Sequence, residues 1–326
     1  MLPSEQFVLH VGLSKTGTTT LQQFIFPKHP EILYLGKDRT LQTPMECSNE
    51  FAFKILNPLL WNHKSALDLA HLTRSKEEFK QTQKTKDGLW LASWEELGSR
   101  PQRLNLESIR RIKKGFGTCR LLVFLRNPLQ RLPSEYLQSL RYNYLTLGKR
   151  SRGLRSLLQP LYLDLEQWLS KEQSSGYLEI LLGASDLIRG SMEIVGKENI
   201  GVFLFEEFRN NPQQSIRSVC DFLCVDPQQA IDMLDNEETH LNARMTQGQV
   251  EYLQSLQKSP WKRLESYWKN HRARRLLYRQ RGEDQKPAKP QLSEQWIEKI
   301  SQSTCEGHRW LMDTFGLDLE GYGYPV

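Results

Sequence analysis

Four short runs of nearly unbroken apolar residues punctuate the chain: Phe7–Leu13, Leu89–Trp94, Arg120–Arg126 and Ile200–Phe205. Each is bounded by polar or turn residues. Runs of this length that do not alternate are what strands covered on both faces carry. Helical patterning lies between them, so the chain predicts β-α-β units and a central, mainly parallel sheet with helices on both faces. Right-handed crossovers then bring the loops after these strands to one edge of the sheet. Open α/β sheets bind their ligands at that edge.

Two segments break this rhythm. Asp38 to Thr85 is polar, helix-prone and poorly periodic. Tyr142 to Tyr177 is longer than a simple connection needs; it carries Lys149, Arg150, Arg152 and Arg155, then an apolar helix around Leu157–Leu169. Such excursions either cover core surface or build a pocket or lid over the ligand edge. The pattern alone leaves both open. The tail Gly321-Tyr322-Gly323-Tyr324-Pro325-Val326 is assigned no element.

The first apolar run leads into Gly12-Leu13-Ser14-Lys15-Thr16-Gly17-Thr18-Thr19-Thr20-Leu21, a tight loop and then a helix start. A loop of this kind offers backbone N–H groups to a phosphate, and the helix end adds its positive dipole. Lys15 adds a cation, and the threonines cap the helix or donate from their hydroxyls. The spacing is close to the nucleotide loop G-x-x-x-x-G-K-[ST] but departs from it. Gly12 and Gly17 are correctly spaced, yet Lys15 precedes Gly17 by two residues instead of following it. Lys-Thr-Gly-Thr-Thr-Thr resembles instead the 5′-phosphosulfate loop of the sulfotransferase family, whose donor is 3′-phosphoadenosine 5′-phosphosulfate (PAPS).

The third run supports the resemblance. Arg126 ends it, and Asn127 and Pro128 suit the cap and first position of a helix. Ser134 then lies about two turns into that helix. The order R-N-P-x-x-R-x-x-S-x-Y, from Arg126 to Tyr136, resembles the family's 3′-phosphate site. There a strand-end Arg and a helix Ser hold the phosphate that distinguishes PAPS from ATP-like nucleotides. A guanidinium fork and a short hydroxyl suit that task. Arg131 recurs in the pattern too, but an ion pair with Glu135 one turn on explains it equally well. Gly196 to Phe208, Asn211-Pro212 and a helix ending Asp221-Phe222-Leu223 resemble the later core of bacterial and carbohydrate sulfotransferases.

The resemblance implies a P-loop-like three-layer α/β fold in which helical insertions form the acceptor side. It implies one sulfotransferase domain over 1–326, with a recognisable core at about 6–226 and a basic helical region at about 240–326. The implied activity is sulfuryl transfer from PAPS to a hydroxyl of a carbohydrate, lipid or small metabolite, leaving 3′-phosphoadenosine 5′-phosphate. Lys15 would face the bridging oxygen. Thr16, Gly17, Thr18, Thr19 and Thr20 would hold the 5′-phosphate, and Arg126 and Ser134 the 3′-phosphate. No metal is expected. The acceptor hydroxyl needs a general base. Leu91-Ala92-Ser93-Trp94-Glu95-Glu96 resembles the Ser-x-Glu segment of bacterial relatives, making Glu95 the first candidate and Glu96 the second. His10, His63 and His71 are read as structural. Two alternatives remain: an ATP-dependent P-loop kinase, and a non-catalytic nucleotide-binding protein of the same fold.

Composition narrows the rest. At 38% hydrophobic and 25% charged residues the chain is ordinary globular protein. No run reaches the length of a membrane span, and the N-terminal residues do not read as a signal peptide; a cytoplasmic enzyme is expected. Five cysteines, Cys47, Cys119, Cys220, Cys224 and Cys305, do not make a disulfide framework. Cys220 and Cys224 are read as buried apolar residues rather than metal ligands. The net charge of +6 is uneven: Lys258 to Arg281 holds nine Lys or Arg and one acid, leaving about −2 for the remainder. A basic segment rich in Trp and Tyr suits an anionic lipid, nucleic acid or substrate, or is a solvated helix beside the cleft. No nucleic-acid module is apparent. The Lys149–Arg155 cluster suits an anionic acceptor.

Overall fold

Five strands pair in parallel in the order β2-β3-β1-β4-β5, with β1 at Phe7–Gly12, β2 at Ile32–Tyr34, β3 at Leu89–Ser93, β4 at Arg120–Leu125 and β5 at Ile200–Leu204. The structure is a computed structural model and describes residues 6–36, 49–62, 66–82, 88–147, 160–235, 245–269, 271–280 and 286–326. Cys47, His63, Lys149, Arg150, Arg152, Arg155 and Leu157 lie outside these. Four strands fall where the apolar runs predict them. The three-residue β2 is too short to register as a run.

The chain divides into two compact units: residues 1–127, 180–239 and 302–326 form the first, and 128–179 and 240–301 the second. The whole sheet belongs to the first. Its strands are apolar throughout because both faces are covered. Phe7, Leu9 and Val11 pack into one core with Trp90, Leu121 and Val123. Val8 packs into another with Leu91, Leu122 and Phe124. The connections run one way from β1 to β2 and β3 and the other way to β4 and β5, so strand order reverses at β1. The loop after β1 therefore leaves the sheet at a topological switch point, where the carboxyl ends open a crevice.

The second unit is helical among its described residues. Tyr144, fully buried on the helix Pro128–Leu145, packs against Tyr252 and Tyr278 at 5.7 and 6.1 Å between ring centres. The sequence places an apolar helix around Leu157–Leu169; its first part, 157–159, lies outside the described residues, and among those described a helix runs Leu165–Ser174. Asp164 starts it through a capping box with Gln167, and Pro160 stands in the segment before it.

Candidate active site

The loop after β1 is built from constrained backbone. Gly12 (φ 92°) has room only for hydrogen, because a Cβ would lie 3.0 Å from the Glu95 carbonyl oxygen. Lys15 (φ 64°) and Gly17 (φ 74°) also occupy the left-handed region. That conformation is unfavourable for a lysine by roughly 1–2 kcal/mol. Bends containing left-handed residues gather successive N–H groups into anion-holding concavities. The Thr16 hydroxyl donates to the Leu13 carbonyl at 2.6 Å, so it braces the turn.

The loop is tied to its neighbours on both sides. Thr18 donates from Oγ1 to Oε1 of Glu95 at 2.5 Å. Glu95 opens the short 3-10 helix Glu95–Ser99 after β3. It is half-buried and Glu96 is exposed, so Glu95 is the acid that reaches the loop. On the other side, Arg126 donates from a terminal guanidinium nitrogen to the Lys15 carbonyl at 2.9 Å. The guanidinium also lies 4.6 Å from the centre of the Phe205 ring. A Cβ on Gly17 would come within 2.8 Å of that ring. Lys15, Thr16, Gly17, Thr18, Glu95 and Arg126 thus form one connected group at the carboxyl ends of β1, β3 and β4. Thr19 and Thr20 begin the following helical turn, which continues as a short wide turn over Leu21–Ile25.

Beneath the loop, fully buried His10 places Nδ1 2.7 Å from the Ser93 hydroxyl oxygen, which accepts from the Gln22 amide at 2.7 Å. His10 is a core residue of β1. His71 lies exposed on the helix Leu69–Thr82.

Ser134 lies in the second unit, half-buried on the helix Pro128–Leu145. In the same helix Arg131 pairs with Glu135 at 3.9 Å. The N–H of Asn127 donates to Glu206 at 3.0 Å. Its side-chain amide donates to the carbonyls of Tyr322 and Gly323 at 3.2 and 2.7 Å.

Glu206 is a connection the sequence conceals. It is 1% exposed, and its second oxygen accepts from the Tyr324 hydroxyl at 3.0 Å. A buried carboxylate is tolerable because both oxygens receive hydrogen bonds. The unassigned tail is therefore seated against the residue that follows Arg126. The ring of His308 meets that of Tyr324 edge-on, and its Nδ1 lies 2.5 Å from the Pro325 carbonyl oxygen. Burial holds His308 below its ordinary value. Burial, reinforced by the charges of Asp318 and Glu206, raises the carboxyl of Glu207. Phe205 was also concealed: it reads as the last residue of an apolar strand, and only the fold turns its ring under Arg126.

No group of three or more His, Cys, Asp or Glu side chains is arranged to hold a metal among the described residues. Cys220 is buried; Cys224 lies just past the end of its helix in left-handed conformation and is exposed. An open depression of about 570 Å³ lined by Arg110, Lys113, Lys114 and Glu193 lies by Gly117, before the start of β4, and contains none of the loop residues.

A parallel sheet with a glycine-bounded loop at its switch point defines a P-loop-like α/β protein. The sequence model of the sulfotransferase domain matches residues 5–313, and the chain belongs to that family. No curated protein matches the chain significantly. Among solved structures it is similar to a sulfotransferase from Alicyclobacillus acidocaldarius, with 19% identity over 84% of this chain and 99% of the other, at a TM-score of 0.45. It is similar also to the sulfotransferase STF9 from Mycobacterium avium, with 14% identity over 89% and 79% of the two chains, at a TM-score of 0.42. A third is the mouse sulfotransferase SULT7A1 complexed with PAP, with 14% identity over 74% and 70%, at a TM-score of 0.35. No described helix is long and apolar enough to cross a membrane.

Proposed function

We propose that this sulfotransferase takes its sulfuryl group from PAPS and delivers it to a hydroxyl of a carbohydrate, lipid or small metabolite. The observation that carries the reading is the bond from Arg126 to the Lys15 carbonyl. It fastens the loop after β1 to the end of the neighbouring strand β4 and so ties two cationic residues together.

The residues present fit an anionic donor. The bend through Lys15, Thr16, Gly17, Thr18, Thr19 and Thr20 would hold its 5′-phosphate, and Arg126 its 3′-phosphate. Bound PAPS supplies an activated sulfuryl group whose departure leaves negative charge at the 5′-phosphate. The Lys15 ammonium stabilises that charge. A guanidinium presents five N–H donors in a planar fork, a shape that suits a phosphate. Glu95 accepts the proton of the acceptor hydroxyl, and Thr18 orients its carboxylate. Charge at the donor is met by Lys15 and Arg126, so the reading needs no metal.

The single-domain reading, 1–326, belongs to this proposal because the family match runs through both units. So does a cytoplasmic location, which the unbridged thiols of Cys119, Cys220, Cys224 and Cys305 favour.

Calorimetric titration with 3′,5′-adenosine bisphosphate, ADP and ATP, each with and without magnesium, tests the donor. A clear metal-independent preference for the bisphosphate is expected. Preference for magnesium-ATP would transfer the site to a kinase, and binding of none would remove the nucleotide assignment.

A further inference from the structure

Two helices of the second unit follow one another, Pro260–Trp268 and His271–Gln280, and the first turns its largest apolar groups outward. Trp261 is 81% exposed and Trp268 75% exposed. With Leu264, also exposed, they recur at the i, i+3, i+7 spacing that makes one stripe of a helix. The side that the fold covers is marked by Ser266, which is 2% exposed. A surface helix ordinarily buries its apolar stripe; this one buries a serine and presents two tryptophans.

The next helix provides the charge. Its inward residues are Arg274 and Tyr278, both buried. Arg274 donates to the carbonyls of Ser266, Tyr267 and Lys269, which fixes the corner between the helices and satisfies the end of the first. Tyr278 packs on Tyr144. The opposite stripe carries Arg272, Arg275, Leu276 and Arg279, all exposed. The one acid of the segment, Glu265, is paired with Lys269.

We infer that this helix pair is a docking surface for an anionic lipid bilayer. Tryptophan and leucine on an outward stripe, beside arginines, are the composition of helices that lie in a membrane interface. Indole rings favour the headgroup level because one edge is apolar and the N–H is polar. Anionic headgroups complement the segment's charge of +8, which contrasts with about −2 for the rest of the chain. A bilayer also needs no matching groove. The inference does not rest on the identity of the sulfuryl donor.

Cosedimentation of the full chain with phosphatidylcholine vesicles, with and without about 30% phosphatidylglycerol, tests it. Binding is expected only with the anionic lipid, together with a blue shift of tryptophan emission. The variant Arg272→Gln/Arg275→Gln/Arg279→Gln is expected to bind on the order of a hundredfold more weakly, at about fivefold per charge near a surface. Trp261→Ser/Trp268→Ser is expected to abolish the blue shift and weaken binding, while circular dichroism and the melting temperature report an intact fold. Absence of binding to anionic vesicles at low salt would overturn the inference. So would undiminished vesicle binding by the tryptophan variant. A short DNA duplex that outcompetes the vesicles would reassign the surface to nucleic acid. A lipid-free dimer that the tryptophan variant dissolves would reassign it to self-association.

Discussion

The guanidinium of Arg126 donates to the main-chain carbonyl of Lys15 across the boundary between β4 and β1. An arginine at a strand end is thus mechanically joined to the residue whose backbone is the most constrained in the loop. Arg126→Ala is expected to weaken 3′,5′-adenosine bisphosphate binding far more than ADP binding. Arg126→Lys should recover little, because one ammonium on a flexible stem does not reproduce the planar fork. Equal losses for both nucleotides, measured by titration calorimetry, would contradict the 3′-phosphate assignment.

Lys15→Ala removes the ammonium but leaves the loop residue count intact. Turnover with PAPS is expected to fall by orders of magnitude, with only a modest loss of donor affinity, as for a group that acts on charge developing in the transition state. Steady-state kinetics and a binding titration on the same variant separate the two. Unchanged turnover would exclude the role at the leaving group.

Glu95→Gln retains an oxygen to accept from Thr18 while removing the base. A fall in kcat of about 10²–10⁴ is expected, the range for general-base catalysis, with the nucleotide dissociation constant nearly unchanged. If Glu95 only braced the loop, the glutamine would preserve kcat.

Gly17→Ala places a methyl group 2.8 Å from the Phe205 ring at a residue with φ of 74°. Backbone strain and overpacking together are expected to cost about 1–3 kcal/mol of stability. Displacing Phe205 should also loosen Arg126 and weaken nucleotide binding. A thermal melt without ligand and a titration with it read these two effects separately.

His308 gives the fold an acid-sensitive point. Its ordinary value is 6.5, and burial lowers it in the folded chain. As pH falls below 6.5 the unfolded chain therefore takes up the proton first, so stability is complete above that value and is lost progressively below it. Melting temperatures recorded downward from pH 7.5 should decline, and His308→Gln should flatten the decline over that window. An equal decline in the variant would place the sensitivity elsewhere.

The sheet was legible because strands buried on both faces have to be continuously apolar. Phe7, Leu91, Leu122 and Ile200 all sit in such runs, and each falls in a strand. The loop was legible for a different reason: glycines at positions 12 and 17 mark places where the backbone leaves the territory of ordinary residues. Lys15 gave no such warning, since a lysine in left-handed conformation carries no compositional sign. Glu206 and Tyr324 were hidden because their bond spans 118 residues of sequence. A glutamate in a Glu-Glu pair reads as surface charge until the fold closes over it. Phe205 was hidden by its own apolar run. The outward tryptophans were visible as residues; their direction depends on which face of the helix Ser266 and Arg274 turn inward.

The position of β1 at the centre of the sheet has a consequence for biogenesis. His10 finds its partner Ser93 83 residues later, and β4 on the other flank follows later still. At about 5–20 residues per second of synthesis, this apolar strand near the start of the chain waits several seconds with both edges unpaired. Sheets made of such distant pairings also close slowly. Expression yield should therefore depend on slow translation and chaperone supply more than on the stability of the finished protein, and cooling the culture should raise the soluble fraction.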